Sequence, residues 1–260
     1  MCALPLEQEI EYPTSDGQPM AETTLHRVVM SDVIGGLERR YAGTPDVWVG
    51  GNLFLYYERG KLDKSVAPDV LLARGVDKRN RDTYQLWDET VPSLIFEITS
   101  RRTWREDTRA KKSLYERLGV AELVLFDPFG EYLEPRLQGY RFERGRYREI
   151  SPNRDGSLDL RTAGVTARPE GARLRLVDTA SGEKLLWNDE LEVARQLETA
   201  ARQVAEERAA AEAAARRTAE ERAAAEAAAR QAAEERAAEA EERARVLAEE
   251  LDRLRRAPQS

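Results

Sequence analysis

Ser93-Leu94-Ile95-Phe96-Glu97-Ile98-Thr99 is β sequence with a single acid set inside it. Side chains alternate between the faces of a strand, so Leu94, Phe96 and Ile98 share one face while Ser93, Ile95, Glu97 and Thr99 share the other. If that second face is solvated, Glu97 is an ordinary surface acid and Ile95 the misfit. If it is covered, Glu97 is a buried carboxylate, which costs several kcal/mol unless a cation or metal ion answers it. Upstream, Pro68-Asp69-Val70-Leu71-Leu72-Ala73 places another acid at the entrance of a second apolar strand; an Asp behind a Pro also suits a plain turn. Downstream, Arg105-Glu106-Asp107-Thr108-Arg109-Ala110-Lys111-Lys112 opens a helix that carries cations. Two acids on neighbouring strands and a lysine on the next helix predict an α/β fold with a divalent-metal site suited to phosphate chemistry.

Reading outward, residues 23–41 show helical spacing at Leu25, Val28, Val29, Val33 and Leu37. Val47–Tyr57 reads as a strand pair or a bent strand about Gly50-Gly51-Asn52, and residues 74–90 as a charged loop. Strand 93–99, helix 105–118 ending at Gly119, and strand 122–127 form a βαβ crossover or an equivalent mixed-sheet unit. A hairpin over 131–150 turns at Gly145, and a short strand over 173–178 precedes the Ser181-Gly182 turn.

Composition excludes several chemistries. A single His (His26) and a single Cys (Cys2) rule out a His/Cys zinc site within one chain and any disulfide framework. Forty-eight Asp and Glu against 41 Lys and Arg give a net charge of −7, unlike a general nucleic-acid coat. A nuclease needs only a local basic groove beside an acidic metal site. No apolar run approaches the ~20 residues of a membrane span, and the first residues lack a signal-peptide pattern, so the chain is expected to be cytoplasmic.

Every Gly, Lys and aromatic residue lies at or before Trp187, and beyond it Ala, Glu and Arg dominate. Residues 204–217 recur almost unchanged at 218–231 and loosely at 232–245, a 14-residue period of two heptads that Leu247, Leu251 and Leu254 continue. Two domains are therefore expected, 1–187 and a helical coiled-coil tail over 188–260. The seam is mostly Ala, so a homodimer through this C-terminal helix and a solvated single-helix spacer are both open.

The order of acid-bearing strand, acid-bearing strand and lysine-bearing helix resembles the PD-(D/E)XK nuclease superfamily. Within it the chain is similar to the Uma-two family of restriction-endonuclease-like proteins. The resemblance spans about residues 12–187 and rests on an ordered set: Ser65–Val70, Arg81–Trp87, Phe96-Glu97-Ile98-Thr99-Ser100, Asp107…Lys111…Tyr115…Gly119-Val120, Phe126-Asp127-Pro128 and Leu137–Tyr140, with Ser15–Glu22 and His26. It implies a mixed β-sheet core flanked by helices and a Mg²⁺ (or Mn²⁺) dependent endonuclease acting on DNA. It also implies Asp69 and Glu97 as catalytic metal ligands, with the carbonyl of Ile98 and the acid Glu22 completing the metal shell. The position two after Glu97 is Thr99 rather than Lys, so the catalytic lysine passes to Lys111, with Lys112 the alternative. Phosphates would meet Arg101, Arg102, Arg105 and Arg109, or the loop of Arg74, Lys78, Arg79 and Arg81.

Bland readings accompany these. Asp107 and Lys111, four apart on a helix, make an ordinary surface salt bridge. His26 is a helix-surface or packed residue, with a phosphate contact the alternative, and Tyr84, Trp87 and Trp104 are core or rim packing, with base stacking the alternative. A catalytically inactive nuclease-fold DNA-binding or scaffolding protein, oligomerising through the tail, is the competing function.

Overall fold

The computed structural model describes residues 12–15 and 23–256, with side chains through Glu250. In chain order it contains α1 (Thr24–Arg40), β1 (Val47–Gly50), β2 (Phe54–Tyr56), β3 (Ser65–Val66), β4 (Val70–Arg74), β5 (Thr83–Gln85) and β6 (Leu94–Ile98). One helical run follows, made of α2 (Trp104–Glu106), a π-helical turn (Asp107–Lys111) and α3 (Lys112–Leu118). Then come β7 (Glu122–Phe126), β8 (Leu137–Glu143), β9 (Arg146–Glu149), β10 (Leu158–Leu160), β11 (Val165–Glu170), β12 (Arg173–Asp178) and α4 (Asn188–Arg256).

The central six-stranded sheet runs β1-β4-β6-β7-β8-β9. It is mixed: β6 and β7 are parallel, bridged by the helical run, and the other neighbours are antiparallel. Both faces of β6 and β7 are covered, as strands apolar at all but one position each require. On one face Leu94, Phe96 and Ile98 pack with Val29, Val33 and Leu37 of α1 and with the sheet β10-β11-β12. On the other, Ile95 packs with Leu114 and Tyr115 of α3 and with the small sheet β3-β2-β5. Glu97 shares this second face and is 0% exposed, so the covered alternative holds.

Two glycines set local geometry, Gly51 in a way the sequence does not display and Gly119 as its place after helix 105–118 anticipates. A Cβ on Gly51 would lie 1.9 Å from the carbonyl oxygen of Asp69, so only glycine lets the β1–β2 turn pass that close behind the acid. Gly119 takes a left-handed φ of 79° and ends α3. The strand pair expected over 47–57 is two strands placed in different sheets, and the charged loop contains β5.

The chain separates into two compact units, residues 1–192 and 193–260. The second is a continuation of α4, on which Val193, Leu197, Val204, Val246 and Leu247 are exposed. Among the described residues no helix is long and apolar enough to cross a membrane.

A buried carboxylate site with one lysine

Strands β4 and β6 run antiparallel with Val70 opposite Phe96. Asp69 lies in the bend just before β4, and its carboxylate reaches the end of β6, which carries Glu97. Each carboxylate is pinned at both oxygens. Asp69 Oδ2 accepts the backbone N–H of Ile98 at 2.6 Å, and its Oδ1 lies 3.1 Å from His26 Nε2. Glu97 Oε2 accepts from Lys111 Nζ at 2.8 Å, and Oε1 from the Tyr115 hydroxyl at 2.6 Å. Lys111 also reaches the carbonyl of Ala67 at 3.2 Å and Asp107 Oδ1 at 3.4 Å.

The two candidate lysines lie in different places, and Lys111 is the one that meets Glu97. Lys112 lies over the ring of Tyr140, 3.5 Å from its centroid, and does not face Glu97. The ion pair of Asp107 with Lys111 is not a surface one: the Asp107 side chain is 1% exposed and Lys111 12%. Both oxygens of Asp107 are buried without a well-formed hydrogen bond. The helical run presses this face against the sheet, so residues four apart (Asp107, Lys111, Tyr115) all point inward. That spacing, with apolar Leu114 beside Tyr115, is the signal that would have revealed the buried face. His26 is the packed histidine of the two bland alternatives, and Tyr84 is core.

Burial pushes the Glu97 carboxyl well above the ordinary range, reinforced by Asp69 and Asp107 and opposed by Lys111. Asp107 is raised to about 6, again chiefly by burial with Lys111 opposing. Burial works against the charge on Lys111, but Glu97, Asp107 and Asp69 outweigh it and hold the ammonium above its usual range. Tyr115 is raised by burial and by Glu97, so its hydroxyl stays protonated and donates.

Three carboxylates around one ammonium leave an excess of acceptor oxygens and negative charge. A hard divalent cation fits that donor set, and the unsatisfied oxygens of Asp107 mark where acceptor capacity remains. Among the described residues no three acidic, His or Cys side chains form a ready-made metal cage. Mg²⁺ needs none, since it is commonly held by one or two carboxylates, waters and substrate phosphates. Glu22 lies outside the described residues, and Ile98 is seen only through its N–H.

The two arginine groups differ. Arg81 is buried and paired with Glu89 and Asp77, Arg79 pairs with Glu89, Arg74 binds the carbonyl of Thr162, and Lys78 binds that of Tyr41. The cations of that loop are engaged within the chain, although Arg79 stays exposed. Arg101, Arg102, Arg105 and Arg109 are exposed.

Glu97 on β6, Asp69 just before β4 and Lys111 from the crossover helix thus sit together at one mixed sheet. The sequence model of the Uma2 family, described as "Putative restriction endonuclease", matches residues 1–166, and the chain belongs to that family. A crystal structure titled as a putative nuclease belonging to DUF820, from Anabaena variabilis, is similar over 55% of this chain and 75% of that one. It has 12% sequence identity and a TM-score of 0.41. No curated protein matches the chain.

Proposed function

We propose that the protein is a Mg²⁺-dependent endonuclease that hydrolyses phosphodiester bonds in DNA, with Asp69, Glu97 and Lys111 as its catalytic residues. The observation that carries this reading is Asp69 held on the N–H of Ile98, next in chain to Glu97, with Lys111 Nζ 2.8 Å from Glu97. Asp69 and Glu97 would hold the ion, with the Ile98 carbonyl and Glu22 as further ligands. A bound Mg²⁺ or Mn²⁺ supplies a more acidic water and polarises the phosphate.

The chain's own groups do the rest. His26, Ile98 N–H, Lys111 and Tyr115 fix the two carboxylates, so little reorganisation is needed on substrate binding. Lys111 holds positive charge beside Glu97, where it would offset negative charge developing on a substrate phosphate. Asp107 keeps acceptor capacity beside it and can take a proton near neutral pH.

The test is nicking of supercoiled plasmid with Mg²⁺ or Mn²⁺. Wild type should cleave and Glu97→Ala should not. Equal cleavage by both indicates a contaminant, and no cleavage of any nucleic acid defeats the proposal. One observation favours the second reading, an inactive nuclease-fold DNA-binding or scaffolding protein. Lys111 is already engaged inside the chain, hydrogen-bonded to Glu97 and to the Ala67 carbonyl with Asp107 Oδ1 3.4 Å away.

A further inference from the structure

We propose that the loops following β6 and β7 form a platform that binds unpaired nucleotides of the substrate strand, bases on Phe129 and the Trp104–Tyr132 pair, phosphates on the neighbouring arginines. The inference rests on the nuclease reading and names the form of nucleic acid that the site accepts.

Both loops leave the same end of the sheet, because β6 and β7 are parallel and Ile98 is the register partner of Phe126. Ile98 is also the residue whose N–H holds Asp69, so the loops rise directly beside the carboxylates. The second loop is built rather than slack. Asp127, fully buried, accepts the N–H of Phe129 at 3.0 Å through Oδ1 and those of Tyr132 and Leu133 at 2.6 and 3.1 Å through Oδ2. This scaffold holds Phe129 out with 53% of its surface exposed. Tyr132 stacks on Trp104 with rings inclined by 16° and centroids 6.1 Å apart, tying the two loops together. Arg105 lies over the same indole at 5.0 Å.

A lone exposed apolar side chain needs no explanation. Here it leaves the same loop as Tyr132, whose ring stacks on Trp104 under Arg105; Arg101, Arg102 and Arg109 flank Trp104 in sequence, and none of these four arginines makes an ion pair among the described residues. The exposed acids close by in sequence are Glu106, Glu131 and Glu134. Aromatic faces interleaved with uncompensated arginines suit a ligand with flat apolar faces and a regular negative charge. Duplex DNA hides its base faces; a single strand offers them.

The experiment is fluorescence anisotropy of the full chain with a labelled oligothymidylate and with a duplex of equal length, in EDTA so that nothing is cleaved. The single strand should bind more tightly than the duplex. Phe129→Ala should weaken it about tenfold, and Phe129→Tyr should restore it. Arg101→Ala with Arg102→Ala should lower the slope of log affinity against log salt by about 1.4, a change Phe129→Ala should not produce. Equal affinity for both forms, or no effect of Phe129→Ala, overturns the platform. So does a concentration-dependent self-association that Phe129→Ala abolishes, which would make the patch an interface between copies. Cleavage by wild type with unaltered binding by Phe129→Ala would remove the platform and leave the nuclease. Strand binding that depends on Phe129 in a chain that never cleaves would support the platform while the nuclease reading fails.

Discussion

Lys111 Nζ meets Glu97 Oε2 at 2.8 Å across 14 residues of sequence, from a helix rather than from the strand that carries the acid. Glu97 has no exposure at all, so this ammonium and the Tyr115 hydroxyl are its substitutes for water. Lys111→Ala should therefore cost about 3–5 kcal/mol in urea unfolding, the loss expected when one partner of a buried pair is removed. Lys112→Ala, which gives up only a cation–π contact with Tyr140, should cost about 1 kcal/mol or less. Pairing Lys111→Met with Glu97→Gln should recover part of the loss, because Glu97 is then no longer a buried charge while Asp107 still loses its cation. Equal penalties at 111 and 112 would contradict the buried pair.

Asp107 gives a pH signature. Its carboxyl is raised to about 6 in the folded chain from an ordinary 3.8, so between those values the folded state holds the proton more tightly than the unfolded state. Its contribution to stability is then fully present below pH 3.8 and is lost as pH rises through about 6. Asp107→Asn should match wild type near pH 4 and exceed it near pH 7 by about 3 kcal/mol at most, at ~1.4 kcal/mol per pKa unit. Denaturant midpoints at the two pH values measure this; a wild-type advantage that grows with pH would refute it.

The sequence made the strands β4, β6 and β7 and the crossover helix plain, because long apolar runs and a glycine cap leave few alternatives. It hid β3 and β5, which are two and three residues long and lie amid charge. It also passed over β10 and β11, whose apolar residues fill the face opposite Glu97. Asp69 and Glu97 were visible as acids in apolar surroundings. The depth of Asp107 was not, since a charged pair four apart on a helix looks the same on a surface as in a core. What decides is the sheet on which the helix lies, and only Tyr115 hinted at that contact. The link from His26 to Asp69 spans 43 residues and leaves no local trace.

Metal uptake separates the nuclease reading from a purely structural cluster. Three carboxylates against one ammonium should release heat on titration with Mn²⁺, and saturating ion should raise the unfolding free energy by about 2.7 kcal/mol at one hundred times Kd. Asp69→Asn and Glu97→Gln should each abolish both effects. An absence of heat and of stabilisation in wild type would show that the excess acceptors are answered by protons alone.

The start of α4 is stapled to β12 through Trp187, whose ring lies under the Arg173 and Arg175 guanidiniums at 3.8 and 3.4 Å. Arg175 also pairs with Glu190 at 2.7 Å, and Arg173 with Asp189 at 2.8 Å. All these residues precede Val193, so removing 193–260 should leave the unfolding midpoint of the remainder nearly unchanged, whereas Trp187→Ala should lower stability by about 2 kcal/mol. The same truncation tests the tail as a homodimerisation element. Its seam is mostly Ala with Val193, Leu197, Val204, Val246 and Leu247 exposed, so a two-chain coil would be weak. Pairs such as Arg202 with Glu206 and Arg216 with Glu220 lie within one helix and support it without a partner. Sedimentation velocity should therefore show a reversible dimer for the full chain and a monomer for 1–192, with helicity nearly constant on dilution. A full chain that stays monomeric at high concentration would make the tail a single-helix spacer.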